Sequence, residues 1–258
     1  MKAIGIIPAR WKASRFEGKI LAEIAGKPLI QHVWERAKEA HTLEDIIIAT
    51  DSERVIKAAE SFGGKAVYTS KDQPSGSDRI AEVVNPIDVE VIVNIQGDEP
   101  LIHYSMIDSL ARTLLEDKKI PMATIVKKIT DKRDLENPNV VKVVTDKDNY
   151  ALYFSRYPIP YFRTEEPPQS PGLGPQSRGL GRFVFYKHIG IYAYTKDFLF
   201  TYTNLPKSPL EEAEKLEQLR ALENGYRIKT IETEFDTVGV DTPEDLKKAE
   251  EAIKSGKR

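Results

Sequence analysis

The sequence predicts an α/β fold: a doubly wound, mostly parallel sheet to which a smaller antiparallel lobe is attached. Short apolar runs recur at residues 3–7, 46–49, 65–68 and 89–95, and segments of helical period separate them at 29–40, 53–62 and 77–84. The runs are apolar throughout rather than alternating. That is the pattern of strands covered on both faces, which helices achieve around a parallel sheet through right-handed crossovers. Beyond residue 126 the pattern changes to longer, antiparallel-style runs.

The first run is followed by a segment punctuated by Gly18 and Gly26, and helical periodicity begins only near Pro28. Arg10, Ser14, Arg15 and Lys19 therefore fall on a loop at a strand's carboxyl end. A fourth helix at 105–116 leads into the apolar run 123–126. Strands at 140–145, 151–154 and 183–194 form the attached lobe or a dimerisation surface. Between them, residues 157–181 hold six prolines and four glycines, which excludes a helix or a central strand and predicts a mobile surface loop. A helix at 209–223, a strand near 226–232 and a closing helix at 243–252 return the chain to the core. The expected organisation is a single domain over 1–258, with a core of about 1–130 and 205–258 and a lobe of about 131–204.

The chain has 258 residues, 40% hydrophobic and 30% charged, with a formal net charge of −2. This describes a folded protein with a sizeable core and no bulk attraction to nucleic acid. Cysteine is absent, which excludes a disulfide framework, a thiolate nucleophile and cysteine-bound metal, and fits the cytoplasm. Arg10 interrupts the first apolar run before signal-peptide length, and no run reaches the roughly 18 apolar residues of a membrane helix, so neither export nor membrane association is expected.

In open α/β sheets, ligands bind beyond the carboxyl ends of the strands. Cations placed there suit polyphosphate, Arg supplying bidentate donors and Lys a compact charge, although a solvated basic loop has the same composition. The strand at 91–95 ends in Gln96-Gly97-Asp98-Glu99-Pro100. By itself Asp98 reads as a turn acid before Pro100. Beside a polyphosphate loop it reads as a ligand for Mg2+, which takes one or two carboxylates together with substrate phosphates. In Val240-Asp241-Thr242-Pro243-Glu244-Asp245, Thr242 is a helix N-cap with Pro243 at N1 and Asp245 at N3. Asp241 precedes the cap, with turn acid and metal ligand standing level.

Ser75-Gly76-Ser77-Asp78-Arg79 is a turn feeding a helix, and capping alone accounts for its serines. On 209–223, Glu211, Glu214 and Gln218 share a face for which solvation is the default. His188 shares a strand face with Tyr192, and a lone histidine there is ordinarily structural. No histidine cluster suggests zinc, and neither a Ser-His-Asp spacing nor G-x-G-x-x-G is present.

Several segments, taken in order, carry a resemblance over almost the whole chain. They are Ile7-Pro8-Ala9-Arg10 with Ser14, Arg15 and Lys19; Gly26-Lys27-Pro28; Ala49-Thr50-Asp51; Ser75 to Arg79; Asn94 to Pro100; and Asn137-Pro138-Asn139-Val140-Val141-Lys142. Tyr153-Phe154-Ser155-Arg156, His188-Ile189-Gly190-Ile191-Tyr192, Ser208-Pro209-Leu210-Glu211, Leu216-Glu217-Gln218-Leu219-Arg220 and Gly239 to Pro243 complete the set. Together they resemble the cytidylyltransferases that make CMP-activated 2-keto sugars, most closely those acting on 3-deoxy-manno-octulosonate (KDO).

The resemblance implies a Rossmann-like nucleotidyltransferase core, a homodimer formed through the lobe, and the reaction of CTP with KDO to give CMP-KDO and pyrophosphate for lipopolysaccharide biosynthesis. It implies that Arg10, Arg15 and Lys19, with Ser14, hold the triphosphate, and that Ser75 and Arg79 lie near the cytidine. Asp98 and Asp241 would hold Mg2+, making Lys19, Arg10, Asp98 and Asp241 the catalytic set. Gln96, Arg156, His188, Tyr192, Glu217 and Gln218 would line the sugar-acid pocket. The chain departs from the family pattern at Ile20, where proline is common, at Ser52, where another acid or histidine is frequent, and in its proline-rich loop. The alternatives are a CMP-N-acetylneuraminate synthetase, against which segments 208–220 and 188–192 speak, and a non-catalytic nucleotide sensor, which has no need of both metal carboxylates.

Overall fold

The structure is a computed structural model that describes residues 1–12, 16–161, 163 and 183–255. Ser14, Arg15 and most of the proline-rich stretch lie outside the described residues. Strand β1 (Ala3–Pro8) is followed by a 3-10 turn at Lys19–Leu21, the short strands β2 (Glu23–Ile24) and β3 (Lys27–Pro28), and helix α1 (Leu29–Lys38). Next come β4 (Asp45–Thr50), α2 (Glu53–Ser61), β5 (Lys65–Tyr68), α3 (Gly76–Val84), β6 (Val91–Asn94) and α4 (Tyr104–Glu116). The chain continues through β7 (Met122–Lys128), α5 (Lys132–Glu136), β8 (Lys142–Thr145), β9 (Ala151–Ser155), β10 (Tyr186–Thr195) and α6 (Lys196–Asn204). Helices α7 (Pro209–Glu214) and α8 (Leu219–Glu223), strand β11 (Ile228–Glu232) and helix α9 (Pro243–Lys254) follow.

The elements group into two compact units. The larger comprises Met1–Met122, Ile191–Asn204 and Phe235–Arg258, and the smaller Ala123–Gly190 and Leu205–Glu234. In the larger unit the parallel strands run in the order β6-β1-β4-β5, with Ile6 opposite Ile47 on one side and Asn94 on the other. Strands β1, β4 and β6 carry the continuously apolar runs, and Ile4, Ile6, Ile7, Ile48, Ile92 and Val93 are fully buried. Helix α1 packs on α4, and α3 on α6, so the strands are shielded on both faces as their composition requires. The sheet order reverses at β1. The chain moves outward from β1 to β4 and β5, then crosses back to place β6 on β1's other side.

Helix caps follow the sequence. The Ser75 hydroxyl accepts from Asp78 N at 3.2 Å, and at α9 the Thr242 hydroxyl accepts from Asp245 N while the Asp245 carboxylate accepts from Thr242 N, each at 3.2 Å. The β2–β3 hairpin, absent from the sequence reading, is closed by two residues in the left-handed region, Ala25 at φ 49° and Gly26 at φ 79°, the conformation that suits a two-residue turn to strand twist. Helix α6, KDFLFTYTN, carries no helical signal in the sequence, because aromatic and β-branched residues have weak helix propensity.

The smaller unit is built on antiparallel pairing, β8 with β9 and β8 with the start of β10. Asp146 Oδ1 accepts from Asp148 N at 2.9 Å and Tyr150 N at 2.8 Å, holding the β8–β9 turn in which Asn149 adopts φ 58°. The continuous helix expected over 209–223 is broken here, and its pieces group with this unit rather than with the opening strands. Lys215, at φ 53°, ends α7, and the Arg220 guanidinium grips the Glu211 carboxylate at 2.6 and 2.7 Å, folding α8 against α7. Glu211 is therefore buried, not solvated. Glu214 is likewise engaged, accepting from the Ser155 hydroxyl at 2.7 Å and Arg156 N at 2.9 Å.

His188, also in this unit, has Nε2 at 2.9 Å from the Thr124 hydroxyl and its ring edge-on to Phe154. Loss of hydration pushes its pKa down to about 3. An unfolded histidine protonates near 6.5 and the folded one near 3, so between these values the unfolded chain holds the extra proton. Stability contributed by the neutral imidazole is complete above pH 6.5 and falls by up to about 1.4 kcal/mol per pH unit below it. Denaturant titrations at pH 7 and pH 5 are expected to show this loss in the native chain and a smaller one in His188→Asn. Equal losses would remove His188 as its source.

Candidate active site

Because the sheet order reverses at β1, the carboxyl ends of the adjacent strands β1 and β6 flank a topological switch point, the place where open α/β sheets take ligands. Strand β1 delivers Arg10, which is exposed, and β6 delivers Gln96 to Glu99. The two strand ends approach so closely that a Cβ on Gly97 would lie 2.8 Å from the Pro8 carbonyl oxygen, so only glycine fits there.

Lys19 follows Gly18, whose φ of 70° opens the 3-10 turn. Its ammonium donates to Asp98 Oδ2 at 2.7 Å, to Asp241 Oδ1 at 2.9 Å and to the Val240 carbonyl at 2.8 Å. Val240 N in turn donates to the Asp98 carbonyl at 2.9 Å, which docks the segment before α9 against the end of β6. With Thr242 and Asp245 engaged in the cap, Asp241 is turned toward Lys19. The two aspartates, far apart in sequence, thus converge on one cation. Burial acts to lower the Lys19 pKa, but the Asp98 carboxylate and then Asp241, by hydrogen bond and charge, carry it above the ordinary lysine value. The ammonium stays charged throughout the physiological range.

Glu99 follows Asp98 in the chain. Burial, followed by the negative charge of Asp98, pushes its pKa up to about 8, and its buried Oε2 meets no hydrogen-bond partner among the described residues.

The other anticipated residues divide between the units. In the larger one, Gln96 is half-buried with Nε2 3.4 Å from Asn94 Oδ1, and Tyr192 pairs across β10 and β6 with the same Asn94. Ser75 caps α3, and its hydroxyl also donates to Asp78 Oδ2 at 2.6 Å. Arg79 is buried, and its guanidinium donates to the Thr69 hydroxyl, to the Ser70 carbonyl at 3.3 Å and to Asp51 Oδ2 at 3.3 Å. In the smaller unit, Arg156 braces backbone, with Nε 2.6 Å from the Glu214 carbonyl and Nη1 3.1 Å from that of Pro138. Glu217 is half-buried, and Gln218 is 3% exposed with a buried Nε2 that meets no hydrogen-bond partner among the described residues. Trp11, Asp51 and Glu99 received no role from the sequence. Asp51 and Glu99 lie within segments that carry the resemblance, and all three stand at the carboxyl ends of strands.

The donor chemistry fits Mg2+. Two hard carboxylates converge on one cation, and no group of three or more His, Asp or Glu side chains arranged for a metal occurs among the described residues. Such a pair is no all-protein cage; it suits an ion that completes its shell with substrate phosphates and water.

The family model described as "Cytidylyltransferase" matches residues 4–231. The chain is 49% identical over 254 residues to a 3-deoxy-manno-octulosonate cytidylyltransferase of Geobacter sulfurreducens, covering 98% of this chain and 100% of that one. It is 49% identical over 254 residues to the protein of the same name in Solibacter usitatus, covering 98% and 95%. Among solved structures it is similar to a CMP:2-keto-3-deoxy-manno-octonic acid synthetase complexed with CTP, at 40% identity and a TM-score of 0.89, covering 99% of this chain and 100% of that one.

Proposed function

The chain belongs to the cytidylyltransferase family, and from that membership we propose that it transfers CMP from CTP to the anomeric hydroxyl of KDO, releasing pyrophosphate. Its full-length relatives at 49% identity act on this sugar acid by name, and the product CMP-KDO is the activated form used in lipopolysaccharide biosynthesis. The observation that carries the reading is the convergence of Asp98 and Asp241 on Lys19 at the switch point. A protein that only sensed nucleotide would need a phosphate cation but not a pair of carboxylates beside it.

In the proposed reaction the anomeric oxygen attacks the α-phosphorus of CTP in line with the departing pyrophosphate. Catalysis is then mostly positioning and neutralisation of charge on the equatorial oxygens. Arg10 and Lys19, together with Ser14 and Arg15, hold the triphosphate, while Ser75 and Arg79 set the cytidine end, Arg79 by ordering its surroundings. Asp98 and Asp241 would hold Mg2+, which when bound supplies positive charge against the phosphates. We assign Arg156, His188, Glu217 and Gln218, all of the smaller unit, to the sugar acid. The buried, unsatisfied amide of Gln218 supports this, because such a group is costly unless a ligand hydroxyl meets it.

A homodimer through the smaller unit is part of the proposal. That unit exposes Leu152, Tyr157 and Leu210, with Leu152 lying on β9. No helix among the described residues is long and apolar enough to cross a membrane, and we place the reaction in the cytoplasm, where CTP is made.

The deciding experiment incubates the protein with CTP, Mg2+ and either KDO or N-acetylneuraminate and measures pyrophosphate. Release with KDO in large excess over N-acetylneuraminate is expected; the reverse preference, or no release, overturns the reading. Gly97→Ala supplies a geometric check. The added methyl group forces β1 and β6 apart beside Asp98, and a displacement near 1 Å costs on the order of 100-fold in rate. A Gly97→Ala protein with unchanged kcat would show that the close approach is irrelevant to turnover.

A further inference from the structure

The end of β4 is bound to the loop that follows β1 by an unbroken series of contacts, all within the larger unit. Ala9 N donates to the Ala49 carbonyl at 2.8 Å, and the Thr50 hydroxyl donates to the Ala9 carbonyl at 2.6 Å. Beyond them Asp51 uses both carboxylate oxygens: Oδ1 accepts from Trp11 N at 2.9 Å and Oδ2 from Arg79 Nη2 at 3.3 Å. The Asp51 and Arg79 side chains are only 12% and 3% exposed, so this charge pair is held away from water. Trp11 passes the constraint onward. Its carbonyl accepts from Gly18 N at 3.1 Å, and its ring lies so close to Gly18 that a Cβ there would be 3.0 Å from the indole. The next residue is Lys19.

We propose that Asp51 is the positioning residue of the nucleotide site. By fixing the Trp11 amide it ties together the two ends of the loop, setting Arg10 on one side and Lys19 on the other, and its second oxygen joins this neck to Arg79 on α3. It touches no reacting atom. Trp11 closes the neck, and Asp51 decides where the neck sits. This inference rests on the cytidylyltransferase reading, because what it positions is the triphosphate loop.

The chain has two tryptophans, so Trp34→Phe leaves Trp11 as the sole indole reporter. In that background, Asp51→Asn and Asp51→Ala are compared for Trp11 emission, thermal melting, CTP binding in Mg2+ by fluorescence titration without KDO, and steady-state constants for both substrates. Asn keeps one acceptor but brings an N–H2 against the Trp11 amide or Arg79; Ala keeps neither oxygen. The expected result is a red-shifted Trp11 emission and a KM for CTP raised about tenfold in Asp51→Asn and further in Asp51→Ala, with KM for KDO within twofold of its starting value. A loss confined to melting temperature, with CTP affinity of the folded protein within twofold, makes Asp51 merely structural and overturns the proposal. If Asp51→Ala does not fold, Asp51→Asn decides alone, and a failure of Asp51→Asn to fold at the temperature where the parent binds CTP also counts against a positioning role. A parent protein that neither binds CTP nor releases pyrophosphate instead defeats the functional reading on which the inference depends.

Discussion

Lys19→Ala is expected to lower pyrophosphate release by about 100- to 1,000-fold, with the same loss at every pH of the profile. The magnitude is that of removing one preorganised donor from a site of developing charge. The flat pH dependence follows because a lysine ammonium ordinarily titrates above this pH range, so the substitution removes a constant charge and no titration. The same change leaves the Val240 carbonyl without its 2.8 Å donor and sets two carboxylates facing each other without a cation. It is therefore expected to cost stability as well, about 1–3 kcal/mol, read as a lower denaturant midpoint. Initial rates between pH 6 and pH 9 at saturating CTP and KDO test it. An unaffected kcat, or a loss confined to one limb of the profile, would take Lys19 out of the mechanism.

Asp98→Asn is expected to reduce turnover by about 1,000-fold or more while leaving the fold in place. The amide retains an oxygen that accepts from Lys19, and the Asp98 backbone carbonyl still receives Val240 N at 2.9 Å, so the docking of the segment before α9 survives. What disappears is one of two anionic oxygens suited to a hard divalent ion. The two losses are distinguishable, since Asp98→Asn should melt within a few degrees of the native chain where Lys19→Ala does not. Near-normal rates for Asp98→Asn at saturating Mg2+ would refute the metal role.

Much of the fold was legible because it rests on local rules. The parallel strands announced themselves through unbroken apolar runs such as Ala3 to Ile7, and α9 through Thr242, Pro243 and Asp245. The site was legible in its parts but not in its geometry. Asp98 and Asp241 each had a plain turn or cap explanation, and only the tertiary structure brings both to Lys19, from sequence distances of 79 and 222 residues.

What stayed hidden depends on partners that pattern does not encode. The break at Lys215 follows from the ion pair between Glu211 and Arg220, which periodicity alone reads as one continuous helix with a wet acidic face. Asp51 acts on a backbone amide, and every residue except proline offers one, so nothing in the composition marks Trp11 as its target. The resemblance implies only that Arg79 lies near the cytidine; its enclosure by Thr69, Ser70 and Asp51 is visible in the tertiary structure alone.

The contact between Lys19 and Asp241 also bears on biosynthesis. A ribosome delivers the first cations and Asp98 long before it delivers residue 241, so the growing polypeptide holds an incomplete set of charges for most of its synthesis. With Asp241 in its proposed role, chains that stall or are clipped upstream of it are expected to release no pyrophosphate.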